Sequence, residues 1–214
     1  MELKGKKMVV LGDSITEGRG TSCPEALYHA LVGKWGECRE VVNHGISGTR
    51  FAKQIHPEPE GSTHDLDFCL RVNELDEDAD IVIVFGGTND YGHGDAPIGQ
   101  FFSRDPYTFY GAAHYIMTRL HQRFPGKTVV IMTPLHRVNE FAPDSNGESL
   151  RTYVNIIREV AEYYAIPVLD LYATSGIQPA LDCNREMFCP DGLHPNDAGH
   201  VLLAERLYAF LKAL

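Results

Sequence analysis

Four short runs of the chain are apolar at nearly every position and rich in β-branched residues: 8–11, 81–85, 128–132 and 166–169. A strand with one face in water alternates apolar and polar residues. Continuous apolarity therefore predicts strands covered on both faces, as in a parallel sheet. A weaker run at 40–43 predicts a further strand between the first two. Elsewhere the apolar period becomes helical. Tyr110, Ala113, Met117, Leu120 and Phe124 follow Asp105-Pro106, which predicts an N-cap and a proline at the first helical position. Leu150, Tyr153, Ile157, Val160 and Tyr164 predict a second helix. Leu203, Leu207, Phe210 and Leu214 predict a last one, entered through Asn196-Asp197. Leu66, Cys69 and Leu70 predict another, and a shorter helix fits 25–34. Strands alternating with helices predict an α/β fold, a three-layer α/β/α sandwich. No repeat, linker or low-complexity tract divides the 214 residues, so one domain over 1–214 is expected, long enough to bury a substantial core.

Composition narrows the partners. A formal net charge of −10 argues against nucleic acid or an anionic membrane as partner and favours neutral or cationic substrates over polyanions. No run approaches the roughly 18 apolar residues of a membrane helix. The apolar run behind the basic start is too short for a signal peptide. Five scattered cysteines without a CxxC pair predict reduced thiols in a cytoplasmic protein. Cys183 and Cys189 are the one pair placed to bridge a short loop.

In an open parallel sheet, ligands bind beyond the carboxyl ends of the strands. Ser14 follows the first strand, 43–48 the second and 86–90 the third, while 191–194 precede the final helix. Gly12-Asp13-Ser14 on its own is explained by a turn capping a helix. Asp191 and His194, three residues apart, are explained by a turn before a helix. Together they supply a hydroxyl, a base to take its proton and a carboxylate to orient that base, in the order Ser, Asp, His. Asn89, in Gly86-Gly87-Thr88-Asn89-Asp90, offers an amide NH2 to an oxyanion, although a glycine-rich turn accounts for that segment equally well. Gly48 offers a backbone N–H that a substrate can approach closely. Asp13 and Asp90 are expected to hold loops rather than react. His93 and His136 follow the third and fourth strands and are candidates for the pocket wall. Asp191 and His194 with a third ligand, for which His200 is nearest, would instead make half a metal site, although no H-E-x-x-H or paired cysteine supports it.

Gly12-Asp13-Ser14, Gly48 within Asn43-x-Gly45-x-x-Gly48, Gly87-x-Asn89-Asp90 and Asp191-x-x-His194 resemble the four sequence blocks of the SGNH, or GDSL-type, esterases and lipases. The match spans residues 12 to 194 in the family's order. The resemblance implies a flavodoxin-like sandwich on a five-stranded parallel sheet. It implies Ser14 as nucleophile, His194 as base and Asp191 as its orienter. It also implies an oxyanion hole from the Ser14 and Gly48 N–H groups and the Asn89 side chain. No cofactor and no metal are expected. The expected reaction is hydrolysis of a small-molecule ester through an acyl-enzyme, with activity rising through the ordinary imidazole range. The loops at 56–61 and 91–95 are polar, which favours short acyl groups such as acetyl, carried on a carbohydrate, over long chains. Lysophospholipase and thioesterase activity fall within the same resemblance. A metal-dependent hydrolase and a non-catalytic binding module are the competing classes. The oligomeric state is left open, a homo-oligomer included.

Overall fold

Five strands form one parallel sheet: β1 (Lys7–Gly12), β2 (Glu40–Gly45), β3 (Ile81–Phe85), β4 (Thr128–Met132) and β5 (Val168–Leu169). Their order is β2-β1-β3-β4-β5. The structure is a computed structural model and describes residues 1–214. Successive side chains of a strand point to opposite faces, and here both faces are covered. Met8, Val10, Ile81, Ile83, Val130 and Met132 pack on one side, against Tyr28, Val32, Leu203, Leu207 and Leu211. These come from α2 (Tyr28–Trp35) and α9 (Asp197–Ala213). Val9, Leu11, Val82, Val84 and Ile131 pack on the other, against Phe68, Phe109, Ile116, Tyr153 and Ile157. Those belong to α3 (Phe68–Arg71), α5 (Phe109–Arg123) and α6 (Leu150–Tyr163). The result is the expected α/β/α sandwich. Full burial of each such side chain is worth roughly 1.5–3 kcal/mol. Packing therefore holds even α3, whose four residues are too few to be helical alone.

The register positions the loops. Gly12 pairs with Gly45 on one side and Phe85 on the other, so β1, β2 and β3 end level. The chain leaves β1 to build β2 on one side, then crosses to build β3 on the other. That reversal opens a crevice at the carboxyl ends of these strands. The segments carrying Ser14, Gly48 and Asn89 all emerge there. Four further helices are not predicted by the apolar pattern: α1 (Ser14–Glu17), α4 (Thr88–His93), α7 (Leu171–Thr174) and α8 (Asp182–Phe188).

Several expectations need correction. Helix α5 starts at Phe109 and its N-cap is Thr108, whose hydroxyl accepts from the Gly111 N–H at 3.1 Å. Asp105-Pro106 forms the turn before it, where Asp105 accepts from the Tyr107 N–H at 3.0 Å. Proline suits the second position of such a turn as well as a helix start. In α3, Cys69 is buried as read, but its buried neighbours are Phe68 and Arg71, while Leu66 and Leu70 are exposed. Strand β5 keeps only Val168 and Leu169, because Pro167 has no N–H to give the ladder and Ala165 turns the chain at φ +52° just before it. The segment at 25–34 splits into a 3-10 turn (Pro24–Ala26) and α2, since Leu27 between them is extended. Phe210 of α9 is only partly buried and Leu214 lies exposed, their places taken by Ala204 and Leu211. All five cysteines are free, so Cys183 and Cys189 do not pair. No helix is long and apolar enough to cross a membrane.

Candidate active site

The Asp13 carboxylate accepts from the Ile15 N–H at 3.0 Å, capping α1 and making Ser14 its first residue. The Ser14 hydroxyl lies 2.9 Å from His194 Nε2, and His194 Nδ1 lies 2.7 Å from Asp191 Oδ2. The other Asp191 oxygen accepts from the backbone N–H groups of Leu193 at 2.9 Å and His194 at 2.7 Å. One carboxylate thus fixes both the turn and the ring. Burial pushes the Asp191 pKa up, but the His194 and Leu193 N–H groups and the imidazole outweigh it and hold it below the ordinary carboxylate value. An ionised carboxylate only accepts. His194 therefore donates through Nδ1 and leaves Nε2 to accept from Ser14. Gly20, at φ +96°, lies against this turn: a Cβ there would come within 2.6 Å of the Pro195 carbonyl.

Across the crevice, Asn89 sits in the first turn of α4 and donates one amide N–H to the Thr49 carbonyl at 3.0 Å. Its second N–H has no protein partner. Gly48, next to Thr49, adopts φ +76°, and a Cβ there would meet the His64 ring at 2.2 Å. Three contacts pin this loop to the Ser14 turn. Ile46 N–H donates to the Gly12 carbonyl at 3.2 Å, Asn43 donates to the Thr16 carbonyl at 2.9 Å, and Ser47 bonds Glu17 through its N–H and its hydroxyl. Asp90 accepts from the Phe51 and Ala52 N–H groups at 2.8 and 2.9 Å. Burial pushes Asp90 up to about 7 and Asp13 up to about 6, against the pull of these N–H donors. Both carboxylates hold loops in place. Ser14, Asn89 and His194 are all less than a tenth exposed.

The polar loops join at Asp95, which accepts from the Ile55 and His56 N–H groups and the His56 ring, each at 2.8 Å. Beneath them Arg50, 2% exposed, donates to Glu58 and Asp65 at 3.0 Å each, and to His93 Nδ1 at 3.3 Å. Glu58, His64 and His93 are the one group whose donor atoms converge closely enough to hold a metal ion. The Arg50 guanidinium already occupies Glu58 and His93, so a divalent ion would compete with a resident cation for the same lone pairs. Burial and the Arg50 charge push His93 down to about 4, which keeps it a neutral acceptor. The alternative ligand set of Asp191, His194 and His200 fares no better: both His194 nitrogens are engaged, and His200 Nδ1 accepts from the Tyr28 N–H at 3.1 Å. His93 stands beside His64, ring centroids 5.2 Å apart, and through it beside Gly48. His136 is bonded to Glu140 at 2.9 Å and packed on Tyr172.

The structure brings Ser14, Asp191 and His194 into one relay, and ties Gly48 to Asn89 through Thr49. Glu17, Gly20 and Arg50 were not visible from sequence, since each acts on a segment remote along the chain.

Known proteins share this fold. A solved structure 34% identical to the chain superposes with a TM-score of 0.85, covering 100% of this chain and 99% of its own. A protein from Lactobacillus plantarum is 31% identical, with a TM-score of 0.85 over 98% of each chain. The lipase/acylhydrolase from Enterococcus faecalis, 23% identical with a TM-score of 0.68 over 97% of this chain and 96% of its own, shares the fold. No curated protein matches. With the model of the GDSL-like lipase/acylhydrolase family matching residues 10–202, the chain belongs to that family, hydrolases that act on esters.

Proposed function

We propose that the protein is a serine esterase that works through an acyl-enzyme, a single hydrolase domain over 1–214 placed in the cytoplasm. The observation that carries this reading is the unbroken relay from Ser14 through His194 to Asp191, at 2.9 and 2.7 Å. Ser14 attacks the ester carbonyl while His194 Nε2 takes its proton. The developing oxyanion is held by the Ser14 and Gly48 N–H groups and the free N–H of Asn89. His194 then protonates the departing alcohol, and in the second half-reaction it activates water.

The proposed substrates carry short acyl groups, acetyl above all, on a carbohydrate. A long acyl chain gains about 0.8 kcal/mol per buried CH2, but only against apolar surface. The group against Gly48 is the His64 ring, backed by His93, Glu58 and Arg50, which offer little of it.

Labelling with a fluorophosphonate, followed by peptide mass spectrometry, is expected to place one adduct on Ser14. Ser14→Ala is expected to fold and lose turnover. An active S14A protein, or activity removed by a chelator with no adduct at Ser14, overturns the assignment. Nitrophenyl esters of increasing chain length are expected to give highest rates at acetate or propionate. A maximum at long chains would instead favour the lysophospholipase or thioesterase reading.

A further inference from the structure

Arg71, the last residue of α3, is 4% exposed; its hydrogen-bond partners are all neutral oxygens, and its guanidinium lies 4.8 Å over the Phe68 ring. Its Nε donates to the Leu66 carbonyl at 2.7 Å. One terminal nitrogen donates to the carbonyls of Gly12 at 3.2 Å and His44 at 2.7 Å. The other donates to Gly12 at 3.2 Å and to the Thr49 hydroxyl at 2.6 Å. These five bonds use all five N–H groups of a guanidinium. Arg50, equally buried, is answered by Glu58 and Asp65, whereas Arg71 has no carboxylate within ion-pair distance. Burial lowers its pKa to about 10, with Asp13, Asp67 and Glu74 drawing it back up. An interior cation without a counter-ion is costly. What it holds together explains its presence.

Gly12 ends β1, two residues before Ser14. His44 lies near the end of β2. Thr49 follows Gly48 and carries the carbonyl that anchors Asn89. A single planar group therefore spans the three loops that present the Ser14, Gly48 and Asn89 donors. We propose that Arg71 is a positioning residue that sets the spacing of the oxyanion donors by clamping the carbonyls of Gly12 and His44 to the Thr49 hydroxyl. The inference rests on the serine esterase reading above. Arg71 touches no substrate and acts through the backbone it holds. Such donors act only within a few tenths of an ångström of their place, and a 1 Å misplacement costs about a hundredfold in rate.

The test is steady-state kinetics of the intact protein on 4-nitrophenyl acetate, with thermal melts, for Arg71→Met, Thr49→Val and Thr49→Ser. Loss of donor spacing lowers kcat about a hundredfold in R71M and about tenfold in T49V, with KM within about threefold of the parent. The pH midpoint of kcat/KM stays in place, since the His194 relay is untouched. T49S, which restores the hydroxyl, recovers kcat. Should R71M not fold, Arg71→Lys decides in its place: it keeps the charge but at most three of the five donors, and kcat is expected to fall about tenfold. T49V serves only as support, since the Thr49 hydroxyl also donates to the Ile46 carbonyl at 2.8 Å. A lower melting temperature with unchanged kcat per folded molecule, or a shifted pH midpoint, overturns the inference. Ser14→Ala run alongside separates the two readings: an active S14A sinks the esterase assignment, whereas an inactive S14A with a fully active T49V sinks only the role of Arg71.

Discussion

Asp191 finds its partners inside its own turn, the Leu193 and His194 N–H groups and the imidazole, none more than three residues away. Asn89 finds its partner forty residues away, at the Thr49 carbonyl. Thr49 in turn is held by Arg71, 22 residues away, and Arg71 reaches the Gly12 carbonyl 59 residues off. The proposed base side of the crevice is thus a local motif, and its carboxylate is half-exposed. The proposed oxyanion side is a buried assembly of distant segments. A turn of four residues holds its geometry against water by itself, whereas donors from separate loops need groups behind them to fix their relative places.

The largest effect is expected on the base side. Asp191→Asn keeps the oxygen that accepts the two backbone N–H groups but turns an NH2 toward His194, forcing the proton onto Nε2. Turnover is expected to fall about 10⁴-fold with the melting temperature little changed. A loss under tenfold would show that the half-exposed carboxylate does not set the tautomer.

Asn89→Ala removes one donor from the oxyanion side and should cost about a hundred- to a thousandfold in kcat, with little change in KM. It also removes the tie to Thr49, so its effect and that of Thr49→Val should add to less than their sum in a double mutant. Thr49→Val leaves the carbonyl that Asn89 uses but frees the loop from Arg71, so full additivity would mean that this clamp does not place Asn89.

The smallest effect lies behind the site and guards the comparison against loss of fold in acid. His29 and His200 are buried between α2 and α9, and burial pushes both down to about 4. In the unfolded chain they titrate near 6.5. The folded state binds their protons less tightly, so their contribution is full above pH 6.5 and is lost as pH falls toward 4. Each accounts for roughly 3 kcal/mol over that window. The raised Asp13 and Asp90 carboxyls act in the opposite sense over the same range, so the test is a difference. From pH 7 to 4.5 the urea midpoint should move further downward in the parent than in His200→Gln, and an equal change would refute the account. Loss of turnover that tracks those midpoints belongs to folding rather than to the relay.

The strands and the base-side turn were legible because their signals are local. Continuous apolar runs at 8–11, 81–85 and 128–132 stand within a residue or two of the observed strands. A serine after the first of them, and a carboxylate three residues before a histidine, mark one end of a relay each. Local signals also misled. Asp105-Pro106 carries the letters of a helix start, yet Thr108 wins the cap. Leu66 and Leu70 carry the letters of a core face, yet the buried face of α3 turns Arg71 inward. An arginine in a short helix gives no sign in sequence that its guanidinium will be sealed among carbonyls.

By itself the sequence determined the sheet, the order of the chemical groups along the chain and the relay's local turn, because strand periodicity and turn chemistry act over a few residues. Only the tertiary structure decided which buried cation braces the Ser14 turn, that Glu58, Asp65 and His93 answer a guanidinium, and that Asn89 keeps one N–H free. Those outcomes depend on carbonyl and carboxylate oxygens contributed by segments tens of residues apart, whose meeting is set by the packing of two helical layers on one sheet.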